Sequence, residues 1–440
     1  MWKNKYAGLV GLTLLGLLAA PRSQGQGLGN SPYSRLGLGD ASPNTGGTRQ
    51  LGMGGVGLAA PNGTQINDLN PALLYYTGRT TYEVGLNGQL HTVRNRTESQ
   101  RDGSATLGYL AFAVPISKWW AASVGLRPYS TVDYRSVSTE GVSGDPSAQL
   151  LVENKGSGGL AEAYLAQGFR LAKGLTVGGT VSYVFGSIDL SSSGLLNKGD
   201  LATTIMNTEH VHYSDFTFRG GAHYRGKLTS NLNYNLAGVY TFQSRLSGVR
   251  NTAFERQDFG ITTSTTPIES DQQGDAVVPA LAQAGISFDN NKNWSLNVDV
   301  AQQQWSKFRS FGVAGGATTG VLLSDTWRGG IGGEFIPDPT SVDNYFKRVA
   351  YRAGVSVAQM PYRPDGKILY DRAVSWGFSF PLPTATPLDA TTINLAFAYG
   401  QRGNTEKNVD NPNGNIKEDY VRVQLGVTLN NRWFLKRRIE

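Results

Sequence analysis

The sequence predicts an all-β protein: a transmembrane antiparallel β-barrel of about 14 strands, with an N-terminal plug (hatch) segment in the lumen. Three observations predict this fold class. Hydrophobic and polar residues alternate over many short stretches, short and long connections alternate between those stretches, and the chain is rich in glycine and aromatic residues. Lipid-facing and lumen-facing side chains alternate along the strands of such barrels, which explains the combination.

The N-terminal residues 1–25 are expected to form a signal peptide. Lys3 and Lys5 precede the apolar run AGLVGLTLLGLLAA, which is too short to span a bilayer as a helix and is followed by Pro21. Cleavage after Gly25 would leave Gln26 as the mature start. The absence of cysteine excludes a lipid-modified cysteine, a disulfide framework and a thiolate metal site.

Composition separates a membrane barrel from an ordinary exported domain. Charged residues make up only 17% of the chain, whereas soluble domains contain about a quarter. The 56 glycines and the 10% aromatic content suit barrel strands, and a mean hydropathy of −0.28 is compatible with alternating faces. The net charge of +7 is dispersed, so nucleic acid is not an expected partner.

Period-two alternation places the strands. In LTVGGTVSYVFG, Leu175, Val177, Val181 and Tyr183 fall on one face and the polar residues on the other, and each such stretch is long enough to cross a membrane as a tilted strand. The predicted strands begin near Thr80, Ser104, Trp119, Gly158, Leu175, Tyr213, Leu232, Pro279, Trp294, Ser324, Phe346, Asp371, Ala390 and Glu418.

The links between these strands are expected to alternate strictly in length. PISKW, LAKGL, RGKLTSN and DNNKNW are short, whereas 135–156, 190–212, 244–278, 308–323 and 402–417 are long and polar. Short turns on one rim and long loops on the other indicate an outer-membrane barrel with both termini in the periplasm. A soluble β-sandwich or repeat protein is the alternative, but it would need neither strands of this length nor one-sided loops.

Aromatic and basic residues mark the rim with the short turns. Trp119, Trp120, Trp294 and Trp433 lie at or beside it, where an interfacial belt is expected. We therefore divide the mature chain into a hatch segment at 26–79, a barrel at 80–430 and a periplasmic basic tail at 431–440.

The hatch segment contains a spacing that also occurs in dinucleotide-binding loops. Gly52, Gly54 and Gly57 match G-x-G-x-x-G, but turn-rich sequence precedes them and Pro61 ends any following helix. The glycines are better explained by a compact backbone that packs closely against the inside of a barrel wall.

Two stretches resemble a known family. RQLGMGGVGLAAPNGTQINDLNPALL resembles the N-terminal hatch of the FadL-type outer-membrane transporters of long-chain fatty acids and aromatic hydrocarbons. The matching positions are Gly52, Met53, Gly54, Gly55, Gly57, Ala59, Asn70, Pro71 and Ala72. VVPALAQAGISFDNNKNWSLNVDVAQQQWSKF resembles a second family segment through Pro279, Gly285, Trp294, Asp299, Trp305 and Ser306.

The resemblance implies a fourteen-stranded barrel and passive uptake of hydrophobic molecules through a hatch-gated lumen with lateral exit. The opening SPYSRLGLGD and the closing EDYVRVQLGVTLNNRWFLKRRIE resemble a Bacteroidota branch of such barrels. FadL-type transporters carry a kink in their third strand, and Arg127 and Pro128 are the candidates here, because proline removes a ladder hydrogen bond. An ordinary end of the ladder is the alternative.

Other polar residues are given modest roles. Asp299 is expected to face the lumen and to pair with an arginine of the wall or hatch. His210 and His212 have the spacing of strand metal ligands, but without a third ligand we expect solvated side chains and no metal. No Ser, His and Asp set stands out, so neither an enzyme nor a cofactor is expected.

Two functional classes therefore stay open. One is a transporter whose partners are outer-membrane lipids and a hydrophobic small-molecule ligand. The other is a non-transporting barrel subunit of an outer-membrane secretion or assembly complex, which would bind outer-membrane proteins through its long loops. The polar loop 244–278 favours the second class, because a fatty-acid landing groove would be more apolar.

Overall fold

The computed structural model describes residues 31–41, 46–142, 145–198, 201–258, 261–314, 322–383, 390–407 and 414–431. The predicted signal peptide, Gln26, Trp433 and the basic tail after Asn431 lie outside these residues.

Fourteen antiparallel strands in the described residues form a closed barrel, which confirms the predicted all-β antiparallel barrel. Each strand pairs with the next, and the last pairs with the first, from Asn431 opposite Thr80 to Lys417 opposite Arg94. The strands are β1 Thr80–Arg94, β2 Ser99–Pro115, β3 Trp120–Val142, β4 Asp145–Ala172, β5 Leu175–Lys198, β6 Leu201–Thr229, β7 Leu232–Thr241, β8 Leu281–Asp289, β9 Trp294–Gln303, β10 Thr326–Phe335, β11 Ala350–Gln359, β12 Tyr370–Leu382, β13 Ala390–Gly403 and β14 Lys417–Asn431.

The wall is aliphatic outside and polar inside. On β14, Val423, Leu425 and Leu429 are each at least 36% exposed, whereas Gln424 and Thr428 between them are buried against the lumen contents. This alternation follows from the pleat of a strand, whose successive side chains point to opposite faces. The outward aliphatic belt is the surface that lipid would cover.

The two ends of the barrel differ, and we call them the turn rim and the loop rim. At the turn rim, the links 173–174 and 230–231 are tight, and Trp119 stacks on Trp120 beside the β2–β3 turn. The expected strict alternation of link lengths is wrong on both rims. The turn-rim link 336–349 is long and contains the 3₁₀ helix Tyr345–Arg348, and the loop-rim link 95–98 is short.

A tall sheet rises from the loop rim on one side of the barrel. β6 has 29 residues, about 95 Å of extended chain, whereas β10 has 10 residues. The hairpin Ser244–Asp258 and Ile261–Val278 extends this sheet by pairing with the outer part of β6. We call the raised sheet the outer half-wall; it comprises residues 130–142, 145–160, 186–198, 201–214 and the hairpin.

The outer half-wall corrects three predicted loops. The links 135–156, 190–212 and 244–278 are strand over nearly all of their length. Outside the membrane no lipid imposes an apolar outward face on a strand, so these stretches lack the continuous alternation that marks the membrane strands. The true starts are accordingly earlier, at Asp145 for β4 and Leu201 for β6 instead of near Gly158 and Tyr213.

Two parts of the N-terminal region lie inside the barrel. The outer segment, residues 31–41, contains the 3₁₀ helix Pro32–Arg35 and the two-residue strand Asp40–Ala41 and lies at the loop rim. The inner segment, residues 46–79, contains the helix α1, Thr48–Leu51, and the 3₁₀ helix Pro71–Tyr76. The remaining short elements are the 3₁₀ helices Trp305–Lys307 and Pro364–Gly366 and the strands Arg309–Ser310 and Val313–Ala314.

Each segment has its own apolar contacts. Leu36 and Leu38 of the outer segment join a buried cluster with Val132, Phe308 and Leu323 near the loop rim. Residues of the inner segment pack elsewhere, with Ile66 and Leu74 against Tyr109 and Tyr164, and Leu51 against Ala396 and Ala398. None of the helices in the described part of the chain is long and apolar enough to cross a membrane.

Candidate functional site

The wall of the barrel is interrupted between β2 and β3. Their ladder ends at Leu110 opposite Leu126. Beyond it, residues 99–109 of β2 pair with β1, and no ladder in the described residues joins them to β3. This stretch lies opposite the outward-facing Leu86 and Leu90 of β1, so part of the interruption lies within the aliphatic belt. We call it the wall gap.

Pro128 lies where the gap begins. It pairs with Ala161 of β4, Ser130 pairs with Leu160, and Tyr129 between them forms a β-bulge. A proline has no N–H to give to a ladder, and a bulge bends and twists its strand, so β3 turns away from β2 at this point. The predicted wall kink at Arg127 and Pro128 coincides with this break, and a lateral opening there stays a prediction.

Arg127 anchors a charged cluster on the lumen side of the gap. Its guanidinium donates to both carboxylate oxygens of Glu162 at 3.0 and 3.3 Å and lies 5.2 Å from the centre of the Tyr164 ring. The Tyr164 hydroxyl donates to Asp68 of the inner segment at 2.8 Å. Burial raises the pKa of the Asp68 carboxyl above its usual range. The cluster ties β3 and β4 to the inner segment beside the gap.

A cavity of about 420 Å³ is bordered by both lumen segments and reaches the wall gap. Thr106 of β2 and Pro128 of β3 line it from the two sides of the gap. Its lining mixes apolar and charged side chains. The apolar ones include Leu36, Leu38, Phe308, Leu323 and Met360, and the charged ones are Asp40, Asp68, Arg127, Glu162, Arg219, Arg328, Asp371, Arg402 and Arg422.

The glycines of the hatch motif let backbone touch backbone. Met53 is fully buried, and a Cβ on Gly332 of β10 or Gly354 of β11 would lie 2.0 to 2.2 Å from its carbonyl group. Gly52 packs in the same way against Gly377 of β12. The structure therefore pairs glycines of the motif with glycines of the wall, a correspondence that the sequence analysis did not anticipate.

The other glycines of the motif shape the chain itself. Gly54, Gly55 and Gly57 have φ values of 78°, 72° and 125°, which residues with a Cβ rarely adopt. The Gly55 N–H donates to the Gln50 carbonyl at 2.8 Å and closes a tight turn. These conformations explain the glycine requirement without a phosphate cradle.

The N-P-A motif sits against the wall glycines Gly168, Gly178 and Gly221. Asn70 is fully buried; its side-chain oxygen accepts from the Ala72 N–H at 3.0 Å, and its amide donates to the Leu58 and Ala222 carbonyls. A Cβ on Gly221 would lie 2.3 Å from the Asn70 oxygen, and one on Gly178 would lie 2.4 Å from the Pro71 carbonyl carbon. Asn70 thus joins two parts of the inner segment to β6.

Asp299 of β9 faces the lumen, as expected, but its partner is different. Its carboxylate accepts from the Gly57 and Leu58 N–H groups at 2.7 and 2.9 Å. Among the described residues, no arginine lies within ion-pair distance of it; Arg328 donates instead to the Gly55 carbonyl at 3.4 Å. A carboxylate that accepts two main-chain N–H groups fixes the turn of the motif to the wall.

Trp305 and Ser306 lie at the loop rim, far from the glycine motif. The Trp305 ring packs on Phe308, with 5.9 Å between ring centres. Ser306 donates through its N–H at 3.0 Å and its hydroxyl at 2.6 Å to Asp325, and these hydrogen bonds lower the pKa of that carboxyl. The pair therefore holds the link before β10 against the outer segment's apolar cluster.

The histidines singled out in the sequence lie on the outer half-wall. His210 contacts Asp189 at 2.6 Å, and His212 contacts Ser187 at 3.1 Å. Both imidazoles are solvent-accessible, and neither borders the lumen cavity.

Sequence reasoning missed the main ionic anchor of the inner segment. Arg49 donates twice at 3.0 Å to Glu334 of β10, and Arg352 of β11 donates to the same carboxylate at 2.6 Å. The two arginine side chains are 4% and 2% exposed. The sequence GGIGGEF, with its close-spaced glycines before Glu334, was the available signal for a wall surface that accepts backbone.

Comparison with known proteins shows the family of this chain. A family model described as BamG matches residues 9–440. The chain belongs to the BamG family. None of the curated proteins matches the sequence of this BamG family member.

Solved structures share its fold. A FadL homologue from Pseudomonas aeruginosa aligns with a TM-score of 0.55 and 14% identity over 89% of this chain and 98% of its own. The toluene transporter TodX from Pseudomonas putida aligns with a TM-score of 0.53 and 17% identity over 88% of this chain and 98% of its own. The monoaromatic hydrocarbon channel CymD aligns with a TM-score of 0.52 and 17% identity over 90% of this chain and 99% of its own. At these identities, the likeness shows that the BamG family member has the FadL-like barrel fold.

Proposed function

We propose that this protein is an outer-membrane barrel for passive uptake of hydrophobic small molecules, which enter the lumen cavity and leave sideways through the wall gap. The observation that carries the proposal is that the cavity reaches both sides of the gap, within the level of the aliphatic belt. A ligand in the cavity would then have a route to lipid that does not cross the packed inner segment.

The apolar part of the cavity lining supports this use. Leu36, Leu38 and Phe308 offer an apolar surface to a ligand, while the charged cluster at Arg127 gives polar surroundings to the free edges of the gap. Open sheet edges facing lipid are strongly disfavoured, and they are tolerated where they line a cavity. The proposed substrates are long-chain fatty acids or hydrocarbons. The hatch motif resembles that of FadL-type transporters of these classes, and two proteins with the same fold are described as a toluene transporter, TodX, and a monoaromatic hydrocarbon channel, CymD.

In this proposal the turn rim is periplasmic and the outer half-wall faces the cell exterior, because outer-membrane barrels have short periplasmic turns. The inner segment acts as the hatch. The hydrogen bonds from Gly57 and Leu58 to Asp299, together with the Arg49–Glu334 contact, hold it in the turn-rim half of the lumen. The route from cavity to gap therefore runs past the outer segment.

The experiment closes the wall gap by extending the ladder between β2 and β3. Replacing Pro128 with threonine and deleting Tyr129 removes the bulge, so that β3 can pair further with β2. The association of cis-parinaric acid with the protein in nanodiscs is followed by fluorescence, and we expect a rate about tenfold lower in the repaired variant, because the bilayer route is closed.

The matched control is Pro267→Thr, a proline-to-threonine change in the outer hairpin, away from the gap. It should leave the association rate unchanged. An unaltered rate in the repaired variant, with heat-modifiable gel mobility showing an intact barrel, would contradict lateral exchange.

A second function is favoured by the outer half-wall. A strand of about 9–11 residues suffices to cross the membrane, yet β4 and β6 have 28 and 29 residues. This excess suits a non-transporting subunit of a secretion or assembly complex. Extraction in mild detergent followed by native mass spectrometry separates the two functions. A monomer with bound lipid supports uptake, and a stoichiometric protein partner with an empty cavity supports the subunit.

A further inference from the structure

The outer half-wall ends in two sheet edges, which differ in how well they are protected against pairing with another chain. One edge belongs to the hairpin strand Ile261–Val278; among the described residues, its onward ladder consists of Ala276 and Val277 opposite Ser310 and Arg309. The other belongs to β3, where Ser130 and Thr131 pair with the outer segment. Exposed edges are templates for pairing with another chain unless their sequence prevents it.

The hairpin edge carries the devices that block such pairing. Pro267 lacks an N–H, and the pairing of this strand with its hairpin partner is broken by three register shifts. Asp271 has a φ of 51°, which bends the strand, and Glu269 and Asp275 add negative charge. Proline, bulges and charges are the usual means by which natural edges resist association.

The β3 edge at Ser136–Val142 has fewer of these devices: one charge, Glu140, and one register shift, between Gly141 and Val142. It contains no proline, and β3 and β4 pair without a register shift from Ser130 opposite Leu160 to Gly141 opposite Gln149. In the described residues, this stretch of β3 has a ladder on its β4 side alone. Val137 and Thr139 are β-branched, and Val137 is 52% exposed. The edge is therefore regular, accessible and suited to strand conformation.

The same edge already binds an extended segment lower down. Asp40 and Ala41 pair with Thr131 and Ser130, and the Ser31 N–H donates to the Asp133 carbonyl at 2.9 Å. Pairing between β2 and β3 ends at Leu126, ten residues before Ser136. Because β2 runs antiparallel to β3, ten residues back from Leu110 lead to residue 100, next to Ser99, where β2 begins. Ser136–Val142 therefore extends past the end of β2.

We propose that Ser136–Val142 of β3 binds an extended segment of a partner polypeptide by β-augmentation at the outer surface. Main-chain hydrogen bonds supply the contact, and the flanking side chains set the chemistry of the partner. Ser136 and Ser138 lie on the same face as Asn154, so hydroxyl or amide side chains suit that face, and an aliphatic one suits the face of Val137. This inference goes beyond the proposed uptake and does not require the cavity.

The test uses the absence of cysteine in the chain. Single cysteines are placed at Val137→Cys and Ser138→Cys on the β3 edge, and at Thr265→Cys and Thr266→Cys on the hairpin edge as matched controls. The probe is the synthetic peptide Thr-Val-Thr-Cys-Thr-Val-Thr, and disulfide formation with the purified protein in detergent is measured under mild oxidation. We expect reaction at the β3 edge about tenfold faster than at the hairpin edge.

Strand pairing also predicts a preference between the two neighbouring β3 positions. Val137 and Ser138 point to opposite faces, and a disulfide needs both Cβ atoms on one face, so one register should dominate. A peptide N-methylated at every threonine and valine has no free N–H among these residues on either edge, so it should lose the rate advantage. Equal rates at both edges, or an N-methylated peptide that reacts as fast, would overturn the proposal. The Pro128 repair experiment measures ligand entry, so the two proposals can fail independently.

Discussion

The two segments inside the barrel are held in different ways. The inner segment lies with its main chain against wall glycines, and buried charges fix Arg49 between β10 and β11. The outer segment is held by apolar side chains, a two-residue ladder and the contact of Asp40 with Arg402 at 2.6 Å. Close main-chain contact leaves no room for small shifts, whereas side-chain contacts can rearrange. We infer that the outer segment moves more readily, and three substitutions test that difference.

The largest effect is expected at Glu334→Gln. The change removes the one negative charge between the buried Arg49 and Arg352 and leaves two guanidinium groups facing each other. Breaking a buried ion pair costs about 3–5 kcal/mol of unfolding free energy. Urea unfolding followed by tryptophan fluorescence measures the loss, and hydrogen exchange should show it first in residues 46–60.

Glu153→Gln is the matched control for that substitution. Glu153 contacts Arg135 at 2.6 Å on the outer half-wall, but its side chain is 32% exposed. Exposed pairs contribute at most about 1 kcal/mol. If both variants lost the same free energy of unfolding, the buried ion pair of the inner segment would contribute no more than the exposed pair of the outer half-wall.

A smaller effect is expected at Gly332→Ala. The new methyl group would lie 2.0 Å from the Met53 carbonyl oxygen, so either the strand or the inner segment has to shift. Overpacking of this kind costs roughly 1–3 kcal/mol. Gly220→Ala is the control, because a Cβ there meets no atom within 4 Å. Equal unfolding midpoints for the two variants would show that the main-chain contact does not limit the position of the segment.

These contacts show what the sequence could and could not predict. The membrane strands were recognisable because lipid imposes alternation, and β5 and β7 begin at the predicted Leu175 and Leu232. The half-wall strands were not, since no lipid imposes that pattern outside the membrane. Pro128 marked the end of the β2–β3 ladder because proline alone lacks the donor.

The ionic anchor had no comparable signal. Arg49 and Glu334 are separated by 285 positions in the chain, and each resembles the other polar residues that face the lumen. The wall glycines were equally hard to assign, because a strand glycine fits either open space outside the wall or close backbone approach in the lumen. Gly220 and Gly332 illustrate the two cases on the same barrel.

The smallest effect is expected at Gly39→Ala in the outer segment. Gly39 has a φ of 101°, and a Cβ there would lie 2.6 Å from the Thr131 carbonyl oxygen, so alanine should push the segment off the β3 edge. Gly37→Ala is the control: φ is also positive, at 62°, but its Cβ would make ordinary contacts of 3.7 to 3.8 Å. The shared backbone strain costs about 1–3 kcal/mol, and it should remain local.

Hydrogen exchange with mass spectrometry separates the two contributions of that substitution. We expect faster exchange in residues 31–41 for Gly39→Ala than for Gly37→Ala, with residues 46–79 as protected as in the unaltered chain. The reason is that the outer segment shares few main-chain contacts with the inner one and can leave its site alone. A matching loss of protection in residues 46–79 would mean that the two segments move as one body, and the route past the outer segment would then require the hatch to move as well.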